Sequence, residues 1–500
     1  MYTKKYLKLM LLAAISVVSC RSNDNDSGDG VETAKTDEVN NFVWKAMNSW
    51  YYWKDQVPQL GDNYFKSTAD YTNYINGKTP DKLFYSLLTK GDNFSWIENN
   101  NEIVRVSKIA EVHKKTGFDY ALYPKGGNST TYVALVNYVV PGSPAAAAGL
   151  KRGDVITKVN GAYITDSNYG QLDAAQFAVT RAETVAANVI NGYYVVTTTD
   201  KNESLNISKV DIDENPIAHY QTYDMAGKKI GYLVFNSFDI DYNDELNAQF
   251  AKMKSGGITD LILDLRYNGG GSLYTAFGLA QMINGNFTGQ NYIYSEYNNK
   301  HSKYNGFDPL TNTVPIYKVT NGHPERTGEQ PVNSLSLPKI YVLISFQTAS
   351  ASELTVYSLS KFINVTTIGY YTVGKFVGSQ TLYDSPNDDY TSYENRNKSH
   401  NWQLQPITFA YYNKNKDPHP TAVFDGVAEP TITPDYRISP YLAFNNVKEF
   451  GNTSDPELRK ALSLITGLTT FKQTDILPVL NYRSKLIAPK HQIKELVIDD

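Results

Sequence analysis

The apolar segment Ile340–Ile344 (IYVLI) is followed, after a short polar stretch, by Ser350–Glu353 (SASE). Consecutive apolar residues of this length are typical of a strand that is buried on both faces. Beyond Ser350, apolar residues recur at helical spacing, which predicts a helix from 350 to about 362. The sequence therefore predicts that Ser350 lies at a strand-to-helix junction of an α/β domain.

A lysine, Lys375, follows Ser350 after 25 positions. A serine hydroxyl is a weak nucleophile at neutral pH and needs a base within hydrogen-bonding reach. A lysine amine is a suitable base only if burial among apolar groups lowers its pKa towards neutrality. Such groups are supplied locally by Ile344, Phe346, Phe376 and Val377. The pair predicts a hydrolase that uses Ser350 as nucleophile and Lys375 as general base.

Stabilisation of an oxyanion requires two backbone donors. The amide of Ala351 would lie at a helix N-terminus, where the helix dipole favours negative charge. A glycine triplet, Gly269–Gly271, follows the buried run Asp260–Leu265 and lets the main chain approach a substrate carbonyl closely. By itself such a triplet is also typical of a loop or a phosphate cradle. Beside Ser350 and Lys375 we expect Gly270, or Gly269, to be the second donor.

Composition sets the limits on function class. The chain has 500 residues, which favours two to four domains, and its net charge of −4 gives no reason to expect nucleic acid as a partner. The single cysteine, Cys20, excludes an intrachain disulfide. The seven histidines are scattered without paired metal-ligand spacing, so we expect no metal and no cofactor.

The N-terminus has the pattern of a secreted lipoprotein. Three lysines precede the apolar run Leu9–Val18, which is too short to span a bilayer. The following Val17–Cys20 resembles a bacterial lipoprotein cleavage site. The resemblance implies removal of residues 1–19, lipidation of Cys20, and a flexible tether over 20–36. We therefore expect a protein anchored by lipid to a membrane of the bacterial cell envelope, on the periplasmic face or at the cell surface.

Two smaller modules are predicted before the α/β domain. Aromatic and apolar residues at helical spacing after Asp37, and the helix-start signal Thr79–Asp81, predict an N-terminal helical module. The stretch Val140–Ile156 resembles the segment of PDZ domains in which a short alanine-rich helix leads through Gly-Leu-x-x-Gly-Asp into a strand. In such domains a peptide tail adds a strand to the sheet edge. The local candidates for the loop that holds the tail's carboxylate are Thr116, Gly117 and Phe118. The alternative is a spacer or lid.

The remaining pattern is α/β. Short apolar runs such as Lys229–Phe235 and Asp260–Leu265 predict buried strands, with a helix over Asp244–Met253 between them. The polar, turn-rich stretch 284–337 is most simply interpreted as a surface insertion. Another amphipathic helix is expected to begin at Asp455.

The combination resembles one family. Asp-Leu-Arg-x-Asn-Gly-Gly-Gly at 264–271, Ser-Ala-Ser-Glu at 350–353, Gly-Lys at 374–375 and the upstream PDZ motif resemble the carboxy-terminal processing peptidases, or tail-specific proteases. The resemblance implies a Ser350–Lys375 dyad and a PDZ domain that binds polypeptide tails and gates access. A glutamine four residues after the lysine commonly orients the amine in this family. Here Ser379 holds that position, and Gln380 is the candidate that follows it.

The resulting prediction is a multidomain α+β protein whose protease core is α/β and of the ClpP/crotonase type. The predicted divisions are a helical domain at 37–103, a PDZ-like domain at 104–212, a catalytic domain at 213–435 and a C-terminal helical extension at 436–500. We expect a serine endopeptidase that cleaves polypeptides with exposed C-termini, near those termini. The alternatives are a non-catalytic peptide-binding lipoprotein on the same scaffold and an esterase with the same Ser/Lys pair. The sequence does not indicate an oligomeric state.

Overall fold

The computed structural model describes residues 37–99, 114–126, 129–191, 193–320, 323–424 and 426–468. Cys20, the expected signal peptide and the expected tether lie outside the described residues. So do residues 100–113 and the tail beyond 468. In the described ranges, no helix is both long and apolar enough to cross a bilayer.

The first module is helical, as predicted. The side chain of Asp37 accepts the backbone N–H of Asn40 and so caps the first helix, and Thr79 precedes the helix that begins at Pro80. The apolar faces of these helices bury Phe42 and Phe84, among others, in one aromatic-rich cluster. The elements are α1 (Glu38–Trp50), α2 (Thr68–Asn76), α3 (Pro80–Ser86) and β1 (Trp96–Asn99).

The second module is a six-stranded antiparallel sheet with a short helix. Its elements are β2 (Lys114–Lys115), β3 (Phe118–Pro124), β4 (Thr131–Val139), α4 (Pro144–Ala147), β5 (Val155–Val159), β6 (Ala162–Thr165), β7 (Gln176–Ile190), β8 (Tyr193–Ser208) and β9 (Val210–Asp211). The strand order is β3-β4-β6-β5-β7-β8, so β3 is an edge strand. The alanine-rich helix α4 is capped by the side chain of Ser143, as the PDZ-like motif predicts.

The third module contains the main sheet. Its elements are β10 (Ile217–Met225), β11 (Lys228–Phe235), α5 (Asn243–Ser255), β12 (Asp260–Asp264), α6 (Leu273–Ile283), β13 (Asn291–Tyr297), β14 (Gly306–Pro309), β15 (Thr313–Thr320), β16 (His323–Pro331), β17 (Lys339–Ile344), α7 (Ala351–Leu359), β18 (Asn364–Gly369), β19 (Val377–Ser379), β20 (Trp402–Gln405), β21 (Ile407–Asn413), β22 (Thr421–Phe424), β23 (Val427–Pro430) and β24 (Tyr436–Arg437). The main sheet runs β10-β11-β12-β17-β18-β24, and all neighbours pair in parallel except β10 with β11. Helices α5, α6 and α7 cover one face, as expected for parallel strands that are buried on both sides.

The stretch 284–337 is not a surface insertion, and that prediction is wrong. Strand β13 lies in a second sheet, of order β14-β13-β21-β19, and Tyr292, Ile293, Leu310 and Val314 are buried in the main core. The apolar residues are dispersed among polar ones because these strands bury only part of their surface. This dispersion conceals the strand periodicity in the sequence.

The third module is joined to the elements before and after it. Strand β1 of the first module pairs antiparallel with β20 of the third. The C-terminal helices are α8 (Ala443–Asn446) and α9 (Pro456–Thr466), and α9 packs Leu458 and Leu462 against the face of the main sheet opposite α7. Strand β24 belongs to the main sheet, and α8 and α9 follow it.

Candidate active site

Ser350 lies directly before the first turn of α7 and not within it. It has a positive φ of 57° and a ψ of −115°. Such a backbone conformation costs a non-glycine residue about 1–3 kcal/mol and is concentrated at functional sites. Its hydroxyl is buried and, among the described residues, has no hydrogen-bond partner. The turn therefore presents an unengaged hydroxyl at the carboxyl end of β17.

One buried carboxylate joins the two candidate catalytic residues. Glu353 Oε2 accepts the backbone N–H of Ser350 at 2.9 Å and that of Lys375 at 2.8 Å. Glu353 Oε1 accepts the N–H of Gly374 at 2.7 Å and the hydroxyl of Thr372. Burial raises the pKa of Glu353, while these hydrogen bonds act in the opposite direction. The serine turn and the lysine loop are thus held by the same side chain.

Tyr411 on β21 makes a second connection between the same two segments. Its hydroxyl lies 3.1 Å from the carbonyl oxygen of Ser350 and 3.1 Å from that of Lys375. Burial holds the pKa of Tyr411 well above its ordinary value, so its hydroxyl remains a donor. Glu353 therefore accepts from the amides of both residues, and Tyr411 donates towards the carbonyls of both.

The side chain of Lys375 is buried, with 1% of the residue exposed. Its Nζ lies 5.4 Å from the ring centroid of Phe94, which comes from the first module. Because Ser350 Oγ has no hydrogen-bond partner within the described ranges, the expected bond between hydroxyl and amine is not formed in this conformation. Catalytic hydrogen bonds are often open in structures without substrate. A rearrangement of the site is required to form it.

The role predicted for Gln380 stays a prediction, and a second glutamine, Gln405, lies beside the same segment. Ser379, four residues after Lys375, is completely buried, and its hydroxyl accepts a hydrogen bond from Nε2 of Gln405 at 3.1 Å. Oε1 of Gln405 accepts the hydroxyl of Thr381 at 2.6 Å. Gln380 is adjacent in sequence but only partly buried. Strand pairing thus brings a glutamine from the end of β20 to the position next to Ser379.

The glycine triplet lies against the nucleophile. A Cβ on Gly270 would stand 2.7 Å from Ser350 Cβ and 3.0 Å from Ala351 N, so only glycine permits this approach. The N–H of Gly270, however, donates to Asn268 Oδ1 at 2.9 Å. The expected oxyanion donor is therefore engaged here. Either this bond breaks when substrate binds, or Gly269 is the second donor beside Ala351.

A buried ionic network lies behind the glycine triplet and reaches the other modules. Arg266 binds Asp264 in its own loop and Asp455 at the start of α9. Arg152 of the PDZ-like module enters the same network through Tyr267 OH at 3.0 Å and Asp455 at 3.8 Å. Although burial alone would raise it, the two guanidinium groups hold the pKa of Asp455 below its ordinary value. The glycine loop is thus coupled to α9 and to the PDZ-like module.

The candidate peptide-binding loop packs against α4. The carbonyl of Thr116 accepts the N–H of Ala145, and the carbonyl of Gly117 accepts that of Val140. Phe118 is buried at the start of β3. The loop before Ser350 contacts this edge strand, because Gln347 Nε2 donates to the carbonyl oxygen of Tyr120 on β3 at 3.5 Å. Gln347 Oε1 also accepts a hydrogen bond from Asn137 on β4, which donates to Asp119 as well. The edge on which a peptide strand would add is therefore covered in this conformation.

Several functional candidates were not predicted from the sequence. Glu353 lies within the quoted Ser-Ala-Ser-Glu motif, so its spacing as the third residue of a helix was available as a signal. Phe94, Gln405 and Tyr411 come from distant segments, and no local pattern indicates them. Where the structure describes the chain, no group of three His, Cys, Asp or Glu residues is placed to hold a metal ion.

Three family models match the chain in order. Residues 38–96 match the peptidase S41 N-terminal domain, 135–183 a PDZ domain, and 229–417 peptidase family S41. The α/β module therefore matches the model of peptidase family S41. The last match contains Ser350, Lys375 and the glycine triplet. The two peptidase S41 matches therefore fall on the helical and α/β modules, which the β1–β20 pairing joins.

Curated proteins that are similar to this chain carry protease names. It is 26% identical over 357 residues to a CtpA-like serine protease of Staphylococcus aureus (strain N315), covering 69% of this chain and 59% of the relative. It is 26% identical over 249 residues to a carboxyl-terminal-processing protease of Picosynechococcus, covering 49% and 51%. The chain thus spans only part of the length of these curated relatives.

The fold also agrees with a solved structure. A protein from Bacteroides fragilis NCTC 9343, described as an S41 protease, superposes with a TM-score of 0.60 at 24% identity. The superposition covers 85% of this chain and 97% of that one. The likeness extends over the helical, PDZ-like and α/β modules together.

Proposed function

We propose that this protein is a serine endopeptidase that cleaves polypeptides near their C-termini. The observation that carries the proposal is the common frame in which Glu353 and Tyr411 hold the backbones of Ser350 and Lys375. A protein that only binds peptides has no need of a strained serine and a buried lysine whose backbones are fixed relative to each other. The names of the Staphylococcus and Picosynechococcus relatives support the same function.

The chemistry follows from the roles of the two side chains. Lys375, in its neutral amine form, removes the hydroxyl proton as Ser350 Oγ attacks the scissile carbonyl carbon. The oxyanion accepts hydrogen bonds from Ala351 and from a backbone amide of the glycine triplet. Collapse of the tetrahedral intermediate breaks the C–N bond, and the lysine ammonium protonates the leaving amine. Water then hydrolyses the acyl-enzyme on Ser350 by the same steps.

The PDZ-like module supports a preference for polypeptide tails. A tail that pairs with β3 requires Gln347 to leave the carbonyl oxygen of Tyr120, since the loop before Ser350 now covers that edge. Binding of a tail would thereby act directly on the loop that carries the nucleophile. An esterase that acts on small acyl substrates has no use for such a coupling. We therefore favour the peptidase over the esterase.

Cleavage of an unfolded polypeptide by the purified chain tests this function. We expect residues 21–500 to cleave an unfolded protein that ends in apolar residues, and we expect Ser350→Ala and Lys375→Ala to be inactive. Mass spectrometry of the products should locate cleavage near the C-terminus. Cleavage by Ser350→Ala would remove the nucleophile, and cleavage by none of the three would favour the peptide-binding alternative. Hydrolysis of small esters but not of polypeptides would favour the esterase.

The location of the protein is a separate proposal. We propose that Cys20 carries a lipid that anchors the chain at a bacterial cell-envelope membrane, as the pattern of residues 4–20 supports. In cells, the full chain should be found with membranes and Cys20→Ala should not. Mass spectrometry of the N-terminal peptide should identify an acylated Cys20. An unmodified cysteine in a membrane-free protein would overturn the proposal.

A further inference from the structure

The pocket of Lys375 has one wall that does not belong to the α/β module. Phe94 lies in the loop between α3 and β1 of the N-terminal module, and its ring centroid is 5.4 Å from Lys375 Nζ. The ring packs with Tyr52, Trp53 and Tyr412 against Val377, Ile407 and Ala410. An aromatic side chain from the N-terminal module therefore borders the amine proposed as general base.

Hydrogen bonds fix the loop that carries Phe94. Asp92 Oδ1 accepts the backbone N–H groups of Phe94 and Ser95, both at 2.9 Å. Asp92 Oδ2 accepts the hydroxyls of Ser95 at 2.5 Å and Tyr51 at 2.9 Å. The carboxylate thus anchors the loop at one end to helix α1's C-terminal cap.

The same loop is joined to the strand that pairs with the lysine segment. The N–H of Ile407 donates to Ser95 Oγ at 2.8 Å, and the carbonyl of Ile407 accepts the N–H of Tyr52 at 2.8 Å. Ile407 begins β21 and pairs with Ser379 of β19, four residues after Lys375. Both backbone groups of Ile407 are therefore bonded to the N-terminal module.

We propose that Phe94 is a positioning residue of the active site, through which the N-terminal module closes the lysine pocket and excludes water from the amine. The proposal rests on the proposed Ser350–Lys375 function and deepens it. The N-terminal module is then a required part of the catalytic centre and not only an appended domain.

Two opposing effects of Phe94 decide the outcome of its removal. A ring at this distance attracts an ammonium group by roughly 0.5–2 kcal/mol, which favours the charged lysine. Exclusion of water disfavours the charged lysine and can lower the pKa of a completely buried amine by up to about 3–5 units. Because Lys375 is only 1% exposed, the second effect should prevail. Opening the pocket should therefore favour the protonated form, which cannot act as a base.

Other titratable groups lie on the surrounding elements, and all of them stay in place in the experiment below. They are Glu353 on α7, Tyr411 and Tyr412 on β21, His419 stacked on Phe376, and Tyr52 and Asp92 of the N-terminal module. A change produced by substitution of Phe94 alone is therefore attributable to the ring.

The experiment compares Phe94→Ala, Phe94→Leu and Phe65→Ala in residues 21–500. Phe65 is a partly buried aromatic residue of the same module that packs on Trp44 and Tyr71, and its removal reports the cost of a lost ring. For Phe94→Ala we expect kcat/KM at neutral pH to fall about tenfold, and the acidic limb of its pH profile to move upwards by about one unit. In Phe94→Leu and Phe65→Ala the acidic limb of the pH profile should stay at its wild-type position.

A second readout does not depend on proteolysis. Acetylation of Lys375 by a small amine-reactive ester, at a pH where the amine is neutral, should be slow in the wild type and several-fold faster in Phe94→Ala, as followed by mass spectrometry. If the wild type shows no Ser350-dependent cleavage but Lys375 is still acetylated faster in Phe94→Ala, the proposed function fails and the closed pocket stands. If cleavage is intact and neither the limb nor the acetylation rate changes, or if the limb moves to lower pH, the role of Phe94 is overturned.

Discussion

The backbone N–H of Lys375 donates to Glu353 Oε2 across 2.8 Å. The same oxygen accepts the N–H of Ser350, so the distance between the two loops is set by one carboxylate group. Because Glu353 is completely buried, water does not compete for these bonds. The position of the lysine relative to the serine is therefore decided by a residue that takes no part in the chemistry itself.

Replacing Glu353 by glutamine should disrupt this frame. The amide NH2 donates and cannot accept, so two of the four donors lose their partner. Unsatisfied buried donors cost about 1–3 kcal/mol each, so we expect urea unfolding to show a loss of about 2–4 kcal/mol. The value of kcat/KM should fall by about two orders of magnitude or more, since a displacement of about 1 Å can lower it a hundredfold.

Thr355→Val, which removes a hydroxyl bonded to Ala351 O in the same helix, is the matched control and should lose far less stability and activity. Full activity in Glu353→Gln would refute the framing role.

Gly270→Ala should separate the glycine loop from the nucleophile. The added Cβ would stand 2.7 Å from Ser350 Cβ and 3.1 Å from the carbonyl of Ala349, at a φ of 109°. We expect proteolysis to be lost while the fold remains, as measured by cleavage and by circular dichroism. Gly257→Ala shares a positive φ, of 73°, but meets no atom within 4 Å, so it isolates the cost of backbone strain. Equal activity in the two variants would contradict the close approach.

Removal of Asp455 should destabilise the protein strongly. Arg266 and Arg152 would then be buried with a charge left uncompensated, and Asp455→Ala also removes the acceptor of the Leu458 N–H at the start of α9. Breaking a buried ionic contact on one side typically costs about 3–5 kcal/mol. The exposed pair of Arg326 and Glu329 is the control, because Glu329→Gln should change the free energy of unfolding by less than about 1 kcal/mol. Chemical unfolding of the two variants should show this difference in free energy. Similar losses in Asp455→Ala and Glu329→Gln would show that the buried ionic network does not stabilise the fold.

The folded protein should lose stability as the pH rises, because a carboxyl group is buried in the PDZ-like module. Burial raises the pKa of Asp119, which binds Asn137, to about 8. A carboxyl whose pKa is higher in the folded state stabilises that state below its unfolded pKa of about 4, and this contribution is lost as the pH rises to about 8. Between about pH 4 and 8, we therefore expect the Tm of the wild type to fall relative to that of Asp119→Asn. Above about pH 8, the difference in Tm between the two proteins should be constant.

A control in the same module makes this pH dependence specific. Asp173 is an exposed carboxylate paired with Lys209, and Asp173→Asn should retain the pH dependence of the wild type. Thermal unfolding of the three proteins across this pH range provides the comparison. If Asp119→Asn parallels the wild type at every pH, then Asp119 does not titrate in this range.

The sequence by itself determined the local features of this protein. The buried runs around Ile340–Ile344 and Asp260–Leu265, the caps at Asp37 and Thr79, and the PDZ-like motif all follow from propensity and periodicity within short windows. The motif around Ser350 predicted the strand-to-helix junction because the residue types on both sides favour those elements independently of the rest of the chain. Ser350, Lys375 and the glycine triplet were predicted as site candidates for the same reason.

Only the tertiary structure decided which residues surround that pair. Strand pairing between β19, β21 and the end of β20 brings Tyr411 and Gln405 to the lysine segment, and the β1–β20 pairing brings Phe94 over its amine. The strands of 284–337 enter the core by the same long-range pairing. Such contacts join residues tens to hundreds of positions apart, so no local pattern encodes them. They form because burying apolar strand faces stabilises the assembled sheets as a whole.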